Sequence, residues 1–117
     1  ISDYPEDFAL TVAKVDEMAV AEGRDLSTFE HVYYMTVHIN EDHAKAKEEA
    51  EDFLVSYYGL NHWGDRWGPW GTPDEIAARM REFADAGADH LVVRFAGWDQ
   101  LAQWERFKNE VLPAFRH

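Results

Sequence analysis

The chain has 117 residues, 46% hydrophobic and 15% aromatic, a composition that predicts one globular domain with a modest core. Its 23 acidic and 11 basic residues give a formal net charge of −12, which argues against nucleic acid or an anionic membrane surface as a partner. Because there is no cysteine and no uncharged run of about 20 residues, we expect a soluble, cytoplasmic protein without disulfides, leader or membrane span.

Three elements are predicted in the first half of the chain. Residues 5–22 form an amphipathic helix that ends near Gly23. Residues 31–39 are rich in β-branched and aromatic side chains and predict a strand. Residues 41–58 predict a second helix, whose acidic run is interpreted as a solvated face. The positions expected to face inward on the two helices are Phe8, Val12, Val15, Ala19, Ala46, Ala50, Phe53 and Tyr57.

A loop rich in glycine and tryptophan separates the two halves of the chain. Residues 59–71 contain four glycines, one proline and three tryptophans, and a short extended piece is expected near its end. The loop is either an aromatic lid over a flat cofactor or substrate, or a hydrophobic contact with another subunit or with the rest of a larger fold. The side chains concerned are His62, Trp63, Trp67 and Trp70.

The next helix has a clear start signal. Thr72 is suited to cap the helix, Pro73 to occupy its first position, and Glu75 to complete a capping box. A strand is predicted over residues 91–96 and a last helix over residues 99–115. The inward positions expected on the two helices are Ile76, Ala77, Met80, Phe83, Ala84, Leu101, Trp104, Val111 and Phe115.

Strands that alternate with helices predict an α/β fold with two to three parallel strands covered by helices. Both full strands are apolar on their two faces, which is typical of strands covered on one side by helices and on the other by more protein. So few strands leave edges and a face without a partner. We therefore expect at least a dimer, or association with a missing part of the fold.

Two long stretches resemble one known family. The run GTPDEIAARMREFADAGADHLVVRFAG, followed by LAQWERFKNEVLPAFR, resembles the C-terminal end of the luciferase-like flavin-dependent oxidoreductases, and AEGRDLSTFEHVYYMTVHINEDHAKAKEEAEDFLVSYYG resembles the stretch before it. The resemblance covers residues 6–116 and implies the last three βα units of a (β/α)8 barrel, in a single domain over residues 1–117. It also implies FMN or a deazaflavin as cofactor, a small-molecule substrate, and a chain that is a C-terminal fragment lacking the N-terminal half of the barrel.

The strand pattern predicts two chemically active side chains at one place. If the apolar rows of both strands face the helices, His38 and Arg94 point into the barrel near its C-terminal mouth, where active sites of this fold lie. Arg94 is a candidate partner for a flavin phosphate or an anionic substrate, or else a member of a structural ion pair. His38 is a candidate to donate to a flavin ring or to transfer protons, or else a strand-end histidine bonded to backbone or water.

Two glycine-containing strand ends are candidate phosphate sites. Gly71 and Thr72 precede one helix and Gly97 precedes another, and helix N-termini bind phosphate in such barrels. Acidic residues in the first turn of the helix after Gly71 disfavour an anion there, so capping is the favoured interpretation. The ligand-type residues at positions 38–43 match no established metal spacing, and no metal site is expected.

Two functions remain open at this stage. The first is an oxidoreductase of the luciferase-like kind, either a flavin-dependent monooxygenase or a deazaflavin-dependent reductase, of which this chain is a part. The second is a non-catalytic α/β module that self-associates through strand edges and the aromatic loop.

Overall fold

Helices and strands alternate in the computed structural model, which describes residues 3–116. The prediction of an α/β fold with parallel strands is confirmed. No helix in the described part of the chain is long and apolar enough to cross a membrane. In chain order the elements are α1 (Pro5–Ala21), β1 (Val32–Ile39), α2 (His43–Tyr58), β2 (Trp70–Gly71), α3 (Pro73–Asp85), β3 (His90–Phe95), α4 (Gln100–Arg106), a π-helical segment (Phe107–Val111) and α5 (Leu112–Arg116).

The three strands form one parallel sheet in the order β2, β1, β3. Strand β1 is central and pairs with β3 along most of its length, with Thr36 opposite Arg94. Strand β2 adds only two residues, with His38 opposite Trp70, at the C-terminal end of β1. The short extended piece expected at the end of the loop is therefore a sheet strand. The carboxyl ends of β1 and β3 lie together at one edge of the sheet.

One face of the sheet carries the main core. The row Tyr33, Met35, Val37 and Ile39 is buried against α3 and the π-helical segment. The rings of Tyr33 and Phe83 stack with centroids 3.8 Å apart. Phe8 from α1 meets both rings edge-on, and this contact holds α1 to the sheet. The apolar rows thus face the helices, as the alternation pattern predicted.

The other face of the sheet, called the open face below, is only partly covered. Val32, Tyr34 and Val92 at its N-terminal half are 53%, 42% and 46% exposed. At its C-terminal half, His38 and Ala96 are buried beneath α2 and the loop. Helix α2 covers this half because its small and aromatic side chains pack there with the loop tryptophans. The open face therefore divides into an uncovered apolar strip and a covered upper region.

The last helix presents a different face from the one expected. Leu101 and Trp104 are 69% and 45% exposed, so the prediction that they face inward is wrong. Gln103 occupies the inward position instead, where its side-chain amide donates to the Ile39 carbonyl at 3.1 Å and accepts from the Ile39 amide at 2.8 Å. The helix is oriented by this polar pairing with the end of β1. Its buried apolar contacts come one turn later, from Phe107 and Val111.

Three further core predictions are also wrong. Val15 is exposed because α1 contacts the core mainly near its N-terminal end, where Pro5 is buried and Phe8 packs against the core. Tyr57 is exposed because it lies at the end of α2 beyond the buried cluster, and Ala84 is exposed on α3.

Candidate functional site

His38 is a buried polar side chain near the carboxyl ends of the strands. It is 5% exposed, and its Nε2 lies 2.7 Å from a Glu49 carboxylate oxygen on α2. Asn40 donates its side-chain amide to the same carboxylate. The hydrogen bond from His38 is the main cause that holds the pKa of Glu49 below its ordinary value. An ionised Glu49 can only accept, so Nε2 of His38 carries a proton.

A cavity of about 250 Å³ lies beside His38. Within residues 3–116, the buried Nδ1 atom of His38 has no hydrogen-bond partner. A Cβ at Gly97 would lie 3.0 Å from that atom, so a side chain at position 97 would crowd it. The cavity is lined by His38, Glu49, Gly97, Trp98, Asp99, Ala102 and Gln103.

Arg94 lies on the same face of the sheet, on β3 opposite Thr36, two residues nearer the N-terminal end of the strands than His38. Its guanidinium carbon is 5.0–5.5 Å from the ring centroids of Phe53, Tyr57 and Tyr58, and it donates a hydrogen bond to the Tyr58 hydroxyl. Such stacking on aromatic faces stabilises a guanidinium without neutralising it. Among the described residues no carboxylate forms an ion pair with Arg94, so the structural ion pair considered for it has no partner there.

The helix N-terminus after Gly71 is occupied by the protein's own carboxylate. Thr72 accepts from the Glu75 amide at 3.3 Å and its own amide donates to Glu75 at 2.8 Å, which is the predicted capping box. The bond from the Thr72 amide is the main cause that lowers the pKa of Glu75. A phosphate would have to displace this anion, so the geometry supports the capping interpretation of Gly71 and Thr72 and not a phosphate site.

The aromatic loop is largely part of the chain's own core. Trp67 is 2% exposed, and it packs on Trp70 with ring centroids 4.3 Å apart. The expectation that Trp67 is free to form a lid or a subunit contact is therefore wrong, because α2 and the end of β3 already cover it. Trp63 is half-buried against Tyr58, and His62 is exposed beside it.

One residue of the site was missed from the sequence. Glu49 belongs to an acidic run that was interpreted as a solvated face, yet it turns toward His38. A signal was present, since Glu49 lies four residues before the buried Phe53 and three after the buried Ala46. In the part of the chain that the structure describes, no group of three or more metal-ligand side chains comes together. His43 instead lies 3.2 Å from Glu75.

A second, larger cleft of about 320 Å³ lies on the other side of the loop, between the loop and α3. Its charged side chains include both signs, and one of its cations, Arg79, is paired with Glu82 at 3.2 Å. This cleft is separate from the polar groups at the strand ends.

Comparison with known proteins gives relatives of one kind. No family model matches the chain. An F420-dependent glucose-6-phosphate dehydrogenase of Amycolatopsis mediterranei is 28% identical over 82 residues, which is 70% of this chain and 25% of that protein. The enzyme of the same name from Segniliparus rotundus is 33% identical over 72 residues, or 62% of this chain and 20% of that protein. A Rhodococcus jostii enzyme, F420-dependent glucose-6-phosphate dehydrogenase 1, is 39% identical over 51 residues, which is 44% of this chain and 15% of that protein.

Solved structures give the same fold. An F420-dependent secondary alcohol dehydrogenase, solved with an F420-acetone adduct, superposes with a TM-score of 0.76 at 22% identity over 99% of this chain and 42% of its own. The coenzyme F420-dependent tetrahydromethanopterin reductase of Methanopyrus kandleri superposes with a TM-score of 0.70 at 22% identity. The match covers 97% of this chain and 43% of the reductase chain. Riboflavin lyase, solved with modified FMN and riboflavin, superposes with a TM-score of 0.68 at 21% identity. The match covers 96% of this chain and 36% of the lyase chain.

The chain thus spans a quarter or less of these curated relatives and less than half of the solved chains. Sequence relatives and fold agree with the resemblance drawn from residues 6–116. The chain is similar in sequence to F420-dependent glucose-6-phosphate dehydrogenases and has the fold of part of the (β/α)8 barrel of these solved F420- and FMN-binding structures.

Proposed function

We propose that this chain supplies one wall of the cofactor and substrate site in a luciferase-like oxidoreductase. The observation that carries the proposal is Arg94, a guanidinium without a carboxylate partner in residues 3–116, held among aromatic rings on the open face. This cation lies near the carboxyl ends of the strands, where barrel enzymes bind ligands. An anionic group fits this position.

The cofactor proposed is coenzyme F420, with FMN as the alternative, because the curated relatives are named for F420 dependence and one structural neighbour contains modified FMN. A deazaflavin or flavin supplies hydride chemistry when it is bound. The proposed reaction is hydride transfer rather than oxygenation, since the relatives are named as dehydrogenases and a reductase. An alcohol is accordingly the proposed substrate class.

The residues of this chain would bind and orient the reactants. Arg94 would pair with an anionic group of the cofactor or substrate, and its aromatic neighbours keep the guanidinium in place. His38 would hold a polar group of the substrate, and Gly97 admits that group. His62 and Trp63 would shield the site from water, since Trp63 packs against Tyr58, a neighbour of Arg94. We assign the chain to the last three βα units of the barrel.

Replacing Arg94 with methionine tests the proposal. The variant should bind F420 or FMN about 10 to 100 times more weakly, because a hydrogen-bonded charge pair contributes about 1.5–3 kcal/mol. Binding is followed by the fluorescence of each cofactor, and circular dichroism checks the fold. Arg24→Met is the matched control, since Arg24 is exposed in the turn after α1 and should not affect affinity. Equal affinity of the Arg94→Met variant and the unaltered chain for the cofactor contradicts the proposal.

A second candidate function is a self-associating α/β module without catalysis. The observation that favours it is the uncovered apolar strip of Val32, Tyr34 and Val92 on the open face. Exposed strand faces of this kind are usually covered by another polypeptide. In the barrel proposal the rest of the barrel covers the strip, whereas in the module a second copy covers it.

The molar mass of the 117-residue chain, measured by light scattering, shows whether a second copy covers the strip. If a second copy covers the strip, the chain is at least a dimer, and Tyr34→Glu makes it monomeric by placing a charge on the strip. Leu10→Glu is the control, because Leu10 is exposed on α1 away from the strip. A monomer without any substitution, or a Tyr34→Glu variant that still dimerises, rules out self-association through this face.

A further inference from the structure

The cavity beside His38 is next to a buried atom, Nδ1 of His38, that has no hydrogen-bond partner within residues 3–116. We propose that it binds a hydroxyl group of an uncharged ligand, with His38 Nδ1 as the acceptor. The inference deepens the proposed function, on which it rests for the role of this ligand as a substrate, because it names the chemical group held at the site. Binding itself requires no cofactor.

The protonation of His38 follows from Glu49. A neutral imidazole has one donor and one acceptor nitrogen, and the nitrogen that faces an ionised carboxylate is the donor. Nε2 lies 2.7 Å from Glu49, which also accepts from Asn40. Nδ1 is therefore left as an acceptor. The sequence had suggested His38 as a donor to a flavin ring, and the geometry assigns its free nitrogen the opposite role.

The other polar groups around the cavity are already engaged. Gln103 uses both ends of its amide on the backbone of Ile39. Asp99 accepts from the Ala102 amide as the cap of α4. Because buried polar atoms in native proteins almost always have a partner, the orphaned Nδ1 of a histidine that is 5% exposed marks the place of a donor from outside the chain.

The charges around the cavity exclude an anionic ligand. Two carboxylates, Glu49 and Asp99, line it, and no lysine or arginine from residues 3–116 does. These carboxylates would repel an anion. Trp98, which is exposed at the rim, offers an apolar surface to the carbon skeleton of a ligand. An alcohol or polyol meets these conditions.

The volume of the cavity and the absence of a side chain at Gly97 determine how large a ligand can bind beside His38. A volume of about 250 Å³ holds several waters or a small polyol. A Cβ at Gly97 would lie 3.0 Å from both Nδ1 and Cε1 of His38. Gly97→Ala should therefore obstruct a donor at Nδ1 while leaving the bond from His38 to Glu49 intact.

The direct test is nitrogen NMR of the histidine rings in the full chain at neutral pH, without cofactor. D-glucose is the uncharged probe, and D-glucuronate is its anionic counterpart of similar size. We expect the His38 proton on Nε2, a saturable shift of the Nδ1 signal with glucose, and binding of glucuronate at least tenfold weaker. A proton on Nδ1, no shift with glucose, or equal binding of both sugars overturns the inference.

Three variants separate this role from a structural one. In His38→Gln the side-chain amide can still donate to Glu49 but has no atom equivalent to Nδ1, so glucose should bind about five to ten times more weakly. Gly97→Ala should weaken glucose binding while the proton stays on Nε2 of His38. His90→Gln is the matched control, because His90 pairs with Glu30 through Nε2 at 2.8 Å on the exposed end of β3. Unchanged glucose affinity in both site variants contradicts the inference.

The outcomes also separate this inference from the proposed function. Loss of F420 and FMN binding with intact glucose binding would overturn the cofactor proposal alone. Intact cofactor binding with no response to glucose at His38 would overturn the hydroxyl site alone.

Discussion

Phe83→Ala is expected to lower the free energy of unfolding by about 3–5 kcal/mol, the range found when a buried phenylalanine is truncated. Phe83 is fully buried on α3, stacks on Tyr33 and meets Phe8 edge-on. Its removal leaves a cavity at the point where α1, α3 and the sheet join. The change is measured by urea or thermal unfolding followed by circular dichroism.

Phe29→Ala is the matched control for this prediction. Phe29 is half-exposed in the loop before β1, where its ring meets His31 edge-on. We expect a loss below about 1 kcal/mol, because little apolar surface is removed from contact. A similar small loss for Phe83→Ala would mean that Phe83 does not lie in a packed core.

Gly71→Ala is expected to destabilise the chain by about 2–4 kcal/mol, from a disfavoured backbone angle together with the loss of the helix cap that the added Cβ displaces. Gly71 has φ +134°, and an added Cβ would lie 2.0 Å from a carboxylate oxygen of Glu75. Relief of the clash would move Glu75 and break the capping box of α3. Thermal unfolding measures the loss.

Gly64→Ala isolates the part of this cost that comes from the clash. Gly64 has φ +60°, and an added Cβ meets no atom within 4 Å. Its substitution should cost only the backbone term, about 1–2 kcal/mol. If both variants lose the same stability, the close packing of Gly71 against Glu75 is not present in solution.

The elements that were predicted correctly are those whose signals are local. The start of α3 depends on Thr72, Pro73 and Glu75, which interact within one turn of helix, so their order in the chain is sufficient. The faces of β1 and β3 follow from simple alternation, which is why His38 and Arg94 were correctly placed on one face. The resemblance to luciferase-like proteins also came from the sequence, and the relatives found are of that kind.

The partners of these side chains depend on contacts between distant segments. Gln103 displaces Leu101 and Trp104 from the inward face because it satisfies the backbone of Ile39, 64 residues away. Trp67 is buried because α2 and the end of β3 converge on it. Glu49 turns toward His38 for the same reason, as α2 covers the carboxyl end of β1. Local periodicity does not identify the partner in any of these three contacts.

By itself, the sequence determined the alternating order of elements, the capped start of α3, the two faces of the strands and the family that the chain resembles. Each of these depends on neighbours within a few residues or on the similarity of whole stretches. Only the tertiary structure decided that Glu49 orients His38, that Nδ1 is left free beside Gly97, and that Arg94 has aromatic neighbours instead of a carboxylate. Each of these contacts joins segments that are far apart in the chain. Packing of those segments excludes water, and a polar interaction is stronger where water is excluded.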